Sequence, residues 1–104
     1  MPLPQLTPEQ RRQALVKAAE VRRKRAELKQ RLKSQQLALK DIISMGTDDI
    51  VAKMRVSAVL EALPGVGKVR ARRIMERLDI SASRRIRGLG SKQKRALLAE
   101  FSKT

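Results

Sequence analysis

Apolar residues recur at spacings of three and four through most of this chain, and nowhere do they alternate with polar residues between hairpin turns, so the sequence predicts an all-α fold. The first predicted helix opens with Thr7 as N-cap, Pro8 at the first helical position and Gln10 placed to complete a capping box, and the pattern carries it to about Ser34. One face of it runs through Leu15, Ala18, Arg22, Arg25, Lys29 and Lys33. Its chemistry changes midway. The first half suits docking of small apolar side chains on the body, whereas the second is a row of cations that a core cannot accept unpaired. Glu20 and Lys24, and Glu27 and Arg31, stand four apart in the order that favours exposed ion pairs.

Residues 37–45 predict a short amphipathic helix with Leu39, Ile42 and Ile43 apolar and Gly46 as its stop. Residues 47–49 start the next, with Asp48 and Asp49 in its first turn and Ile50, Val51, Met54, Val59, Leu60 and Leu63 facing the core; a break is expected near residues 55–57. Pro64 ends that segment. Val66, Val69, Ile74, Met75 and Leu78 mark the expected buried side of the helix that follows. After an irregular stretch, Ser91 is placed to cap a last helix whose apolar edge is Leu97, Leu98 and Phe101. The expected organisation is a flexible N-terminus over residues 1–6, a long basic helix over 7–34 and a single helical body over 35–104.

Charge changes the picture from a small helical domain to a polyanion binder. Lysine and arginine number 25 against 10 acidic residues, a formal net charge of +15 on 104 residues, which repels itself on compaction and is relieved by a polyanionic partner. A membrane surface would also serve on charge alone, but there is no apolar run of membrane-spanning length and no secretion-signal pattern, so the expectation is a cytoplasmic protein without a membrane partner. With no cysteine and no histidine, thiolate zinc sites, thiol nucleophiles and the usual neutral-pH proton shuttle are excluded, and no metal or cofactor is expected. Phe101 is the only aromatic residue. Single-strand binders stack bases on several rings, so duplex is favoured over single strand.

The most specific signal is at residues 63–75. Pro64 closes one helix, Gly65 and Gly67 permit a turn too tight for side chains, and the amides at the next helix start face outward, with Lys68 and Arg70 adding full charge beside them. The run from Gly65 to Met75 resembles the helix-hairpin-helix motif in its order of glycine, apolar residue, glycine, alanine and two apolar residues. That resemblance implies that Gly65 and Gly67 hold a backbone phosphate without reading bases and that Val66 packs inward.

A second cationic turn holds Arg84, Arg85, Arg87, Gly88, Leu89, Gly90 and Ser91. Between Asp79 and Glu100 there are six cations and no acid, so local pairing cannot neutralise them, and the helix start at Gly90 and Ser91 again offers amides to a phosphate. The alternative is a merely soluble loop. Residues 22–33 carry seven basic residues and one acid; they read either as a solvated face or as a phosphate-contacting arm, with Arg22, Arg25, Lys29 and Lys33 as a second DNA surface.

Together the two turns resemble the helix-two-turns-helix region shared by ribosomal protein S13 and the actinobacterial integration host factors. The second family fits better, through residues 6–11, the basic first helix, residues 53–58, residues 63–70 and residues 84–91. It implies a long N-terminal helix on an S13-like body, and a small nucleoid-associated protein that binds double-stranded DNA with little sequence preference, bends or constrains it, and thereby supports chromosome organisation and recombination. Base-excision glycosylases share the hairpin, but Val69 stands where their reactive lysine belongs and no downstream acid is available, so no enzyme and no small-molecule substrate are expected. A ribosomal RNA binder remains the alternative, weakened because the extended basic element here is N-terminal. Leu28 and Leu32 are too few for a coiled-coil strand, which leaves a monomer as the expectation.

Overall fold

The computed structural model describes residues 6–102, so all but Leu6 of the expected flexible N-terminus, and the last two residues, lie outside it. Six α-helices follow in order: α1 Pro8–Lys33, α2 Leu39–Ser44, α3 Asp49–Lys53, α4 Val56–Ala62, α5 Lys68–Arg77 and α6 Ser91–Ser102, with a short 3-10 helix at Ile86–Gly88. Among the described residues there is no strand, only one isolated antiparallel bridge between Arg55 and Arg85. The all-α expectation holds.

The start of α1 forms as its sequence demands. Thr7 Oγ1 accepts the Gln10 amide at 3.1 Å, Gln10 Oε1 accepts the Thr7 amide at 3.0 Å, and Pro8 loses nothing by lacking a donor in the first turn. At the other end the Gln36 amide reaches back to Arg31 O at 2.8 Å over Gln35, which takes a left-handed φ of 66°. Only the C-terminal half of α1 rests on the body, against α3 and α4, through fully buried Leu32 and half-buried Leu28.

The expected docking of Leu15 and Ala18 is overturned. Both are exposed, as is every residue from Leu6 to Glu20, and Leu15 and Val16 are 63% and 62% accessible. The body is too short to reach them: the molecule is 53 Å long but 33 and 25 Å across, and a helix of 26 residues spans about 39 Å. The first half of α1 therefore projects.

Ion pairing on α1 also differs from expectation. Glu27 pairs with Arg23 at 3.8 Å, and neither Glu20 with Lys24 nor Glu27 with Arg31 forms. With several cations competing for each acid in water, the choice among exposed partners is worth little.

The core gathers Leu39 and Ile42 of α2, Val51 of α3, Met54, Val56, Val59 and Leu60 around α4, Ala71, Ile74 and Met75 of α5, Ile80, Ile86, Leu89 and Leu97. Leu63, Leu78 and Phe101 pack on it half-buried. Two expectations for the connection between α2 and α3 are corrected. Gly46 follows the end of α2 without a left-handed φ, and its lack of a side chain instead avoids a tight contact, since a Cβ there would meet Ile43 O at 3.2 Å. Asp48 is the N-cap of α3, its carboxylate accepting the Ile50 and Val51 amides at 3.0 and 3.1 Å.

Val69 is a further correction. It is 66% exposed, because it precedes Leu78 by two and a half turns at about 3.6 residues per turn and so points away from the face of Ala71, Ile74 and Met75.

Candidate nucleic-acid interface

The hairpin between α4 and α5 is pinned from below by Val66, which is buried, while Pro64, Gly65, Gly67, Lys68 and Arg70 are exposed. Gly65 takes a φ of 74°, a conformation costly for a side chain, and a Cβ on either glycine would meet nothing within 4 Å. The mouth of the hairpin is thus open. The first α-helical bond of α5 runs from the Ala71 amide to Gly67 O, and glycine has no side chain with which to cap. The amides of Gly67, Lys68, Val69 and Arg70 are therefore left without an intrahelical acceptor at the positive end of the helix dipole.

Arg70 turns one guanidinium nitrogen back to Gly65 O at 3.4 Å, which holds its remaining donors beside these amides. Lys68 lies in a cleft with Arg72, Glu61 and Glu76 over a floor of Ala71, Met75 and Ile80. Val69, which the sequence pattern assigned to the core, stands exposed between the two cations and belongs to this surface.

The second turn is built the same way with Leu89 as its buried pin. Ser91 does not cap α6. It is the first helical residue, Gly90 is the cap position, and the Gly90 amide is satisfied by Gln93 Oε1 at 3.0 Å, which leaves the Ser91, Lys92 and Gln93 amides at the open end. Arg84, Arg85, Arg87 and Gly88 line a surface hollow with Ser81 and Ser83. Arg84 folds over Gly88, donating to its carbonyl at 3.1 Å; a Cβ on Gly88 would come within 3.1 Å of Arg84 Cδ, so glycine is what allows the arginine to lie there.

Two segments distant in sequence hold this turn in place. The Val56 amide donates to Arg84 O and the Ile86 amide to Met54 O, each at 2.9 Å, so the turn is stitched to the junction of α3 and α4. Arg85 consequently faces α1. It shares a cleft with Arg25, Lys29, Lys53 and Arg55, five cations with no acid among the lining residues. Lys29 and Lys33 also border a neighbouring hollow that contains Glu61, whereas Arg22 stands apart and donates to Ala18 O at 3.4 Å. Sequence reasoning missed Lys53 and Arg55 as site residues. The signal was available: they flank buried Met54 at the break between two helices, so both point outward.

Among the described residues no group of acidic side chains is placed to hold a metal ion, and no helix is long and apolar enough to cross a membrane. What the surface offers is open amides and guanidinium and ammonium groups in repeated combination, the chemistry that receives phosphate.

Comparison with known proteins agrees with this geometry. The S13-like H2TH domain, the helix-two-turns-helix, matches residues 32–101. A protein named integration host factor from Streptomyces coelicolor is 60% identical over all of this chain and 98% of its own length, and one from Mycolicibacterium smegmatis is 55% identical over the whole of both. A third, from Mycobacterium tuberculosis, is 55% identical over 97% of each chain. The solved structure of sIHF bound to an 8 bp palindromic DNA superposes with a TM-score of 0.80 at 59% identity, covering 82% of this chain and 97% of that one. Relatives that match from end to end under this name weigh against the ribosomal alternative. The chain belongs to the integration host factor family, built on an S13-like helix-two-turns-helix domain.

Proposed function

We propose that the protein is a nucleoid-associated binder of double-stranded DNA that grips phosphates rather than bases and bends or constrains the duplex, acting in chromosome organisation and in recombination. The observation that carries this reading is the duplicated hook: two glycine-turned helix starts, each pinned by one buried apolar residue and each ringed by cations. The hairpin contributes Pro64, Gly65, Gly67, Lys68 and Arg70, and the second turn Arg84, Arg85, Arg87, Gly88, Gly90 and Ser91. Val66 and Leu89 anchor them from inside. The DNA-bound relative of similar fold supports duplex as the ligand.

The cleft of Arg25, Lys29, Lys53, Arg55 and Arg85 extends the cationic surface toward α1 and, with Arg22 and Lys33, forms the second contact through which one monomer bends or bridges DNA. No residue constellation on either surface suits catalysis, and the protein acts as a binder without cofactor, small-molecule substrate or membrane partner, in the cytoplasm on the nucleoid. Binding to duplex DNA, single-stranded DNA and structured RNA across a salt series tests the proposal. Duplex is expected to bind tightest with a steep salt response; tighter binding to structured RNA would return the ribosomal reading.

A further inference from the structure

The side chain of Gln93 sits at the start of α6 and is half-buried, and both ends of its amide are engaged. Its Oε1 accepts the Gly90 amide at 3.0 Å, and its Nε2 donates to Asp79 O at 3.1 Å. The two bonds fix each other, since the end that accepts must be oxygen and the end that donates must be nitrogen. Gly90 belongs to the second turn. Asp79 lies two residues beyond the end of α5, held at a left-handed φ of 58° that turns the chain as the Ile80 amide bonds back to Met75 O at 2.8 Å.

Helix α5 begins at the hairpin and ends beside Asp79, so Gln93 ties the second turn to the far end of the rod whose near end is the first turn. A second link, between Arg77 and Glu100, secures the same end of α5 to the later part of α6, yet it leaves the start of α6 unconstrained. Between the end of α5 and the start of α6 the Gln93 bond acts at the turn itself, adding to the backbone bonds that stitch the turn's other flank to Met54 and Val56. A duplex presents phosphates at fixed spacing, so two hooks on one chain hold it together only if their separation is also fixed.

We propose that Gln93 is a positioning residue for DNA binding: a strut that sets the separation of the two phosphate-binding turns, and not a reader of bases. The inference rests on the duplex-binding reading above. Each end of its amide is already held by a backbone group, which leaves one hydrogen and one lone pair in a fixed direction rather than a side chain free to follow a base edge.

The test compares the full chain with Gln93→Met, which keeps the length of the side chain and removes its polar atoms, and repeats the substitution in the Arg84→Ala, Arg85→Ala, Arg87→Ala background. Affinity is measured by fluorescence anisotropy against duplexes of permuted sequence, with thermal midpoints recorded for each variant. Gln93→Met is expected to lose affinity on the order of tenfold, equally for all sequences, and to lose almost nothing further where the second turn has already been stripped of its arginines. A loss confined to duplexes that differ at one base position overturns the proposal in favour of base reading. The same fold-loss in both backgrounds overturns it in favour of plain destabilisation, and parental affinity overturns it outright. Absence of salt-dependent duplex binding by the unsubstituted chain would instead sink the functional reading on which the strut depends.

Discussion

Arg55 and Arg85, thirty residues apart, are paired across an antiparallel bridge, and their side chains line the same cationic cleft. Backbone hydrogen bonds on either side of the pair hold two like charges together that would separate in a free chain. On the duplex-binding reading proposed above, a phosphate placed between them would offset the repulsion, so the arrangement would be a fixed charge site, costly in the free protein and favourable in the complex.

Removing the arginines of the second turn should therefore weaken binding without unfolding the body. For the Arg84→Ala, Arg85→Ala, Arg87→Ala variant we expect lower affinity for all duplexes alike and unchanged far-ultraviolet circular dichroism. The hydrogen bonds removed, to Gly88 O and Lys53 O, are exposed and worth little. If the parent neutralises about five phosphates, its log affinity falls with log salt at a slope of about −4.5, and the variant should flatten that slope by about 0.9 for each phosphate it no longer neutralises. Parental affinity in the variant would reduce the second turn to a solvated loop.

The two hairpin glycines separate folding from binding. Gly65→Ala forces an alanine to a φ of 74°, which costs about 1–2 kcal/mol and lowers the thermal midpoint by several degrees. Gly67 has an extended backbone at φ −91° and ψ −178° with open space at its Cβ, so Gly67→Ala should melt like the parent. Its methyl group would nevertheless stand at the mouth of the open amides. Weaker duplex binding at an unchanged midpoint is the expected result, read by anisotropy and calorimetry side by side.

Much of this architecture was legible in the sequence, and what escaped did so for identifiable reasons. The capping box at Thr7 and Gln10, a break expected near residues 55–57 and the pin at Val66 follow from local chemistry; the structure contains all three, with the break at Met54 and Arg55. Leu15 escapes because periodicity tells which residues share a face but not whether another element lies opposite that face, whereas Val69 fails on periodicity itself, since it does not share the face of Ala71, Ile74 and Met75. Ser91 was read as a cap because the type is right; the cap one residue earlier is glycine, served by a glutamine two residues beyond that serine. The outward direction of Lys53 and Arg55 was within reach of the sequence, but their meeting with Arg85 was not, since it depends on a bridge between segments thirty residues apart.

Charge reversal on the arm tests whether the second surface matters. Arg22→Glu with Lys29→Glu alters exposed side chains on a helix anchored elsewhere by Leu32, so the fold should persist. Simple binding to short duplexes should be retained with modest loss, while bending or bridging of long DNA, followed by single-molecule extension, should fall sharply. An unchanged extension curve would return this face of α1 to a solvated role.

Gln35 offers a stability gain that touches neither surface. It ends α1 in the left-handed region, where a non-glycine residue costs about 1–2 kcal/mol, and glycine gives back part of that through the greater freedom of its unfolded chain. Gln35→Gly should raise stability by about 0.5–1 kcal/mol and the thermal midpoint by about 2–8 °C. Duplex affinity should not change.

Leu15 and Leu32 lie on one helix and should answer oppositely to the same substitution. Leu32 is wholly buried in the cluster where α1 meets α3 and α4, so Leu32→Ala leaves a cavity and should cost about 2–5 kcal/mol. Leu15 touches no core and is 63% exposed, so Leu15→Ala should stay within about 0.5 kcal/mol of the parent in chemical denaturation. A large loss at Leu15 would mean that the projecting half of α1 finds a partner in solution, such as a second copy of the chain, and the midpoint would then depend on protein concentration. Equal, small effects at both positions would mean that α1 is not held on the body as described, and the cleft of Arg25, Lys29 and Arg85 would lose the wall that forms it.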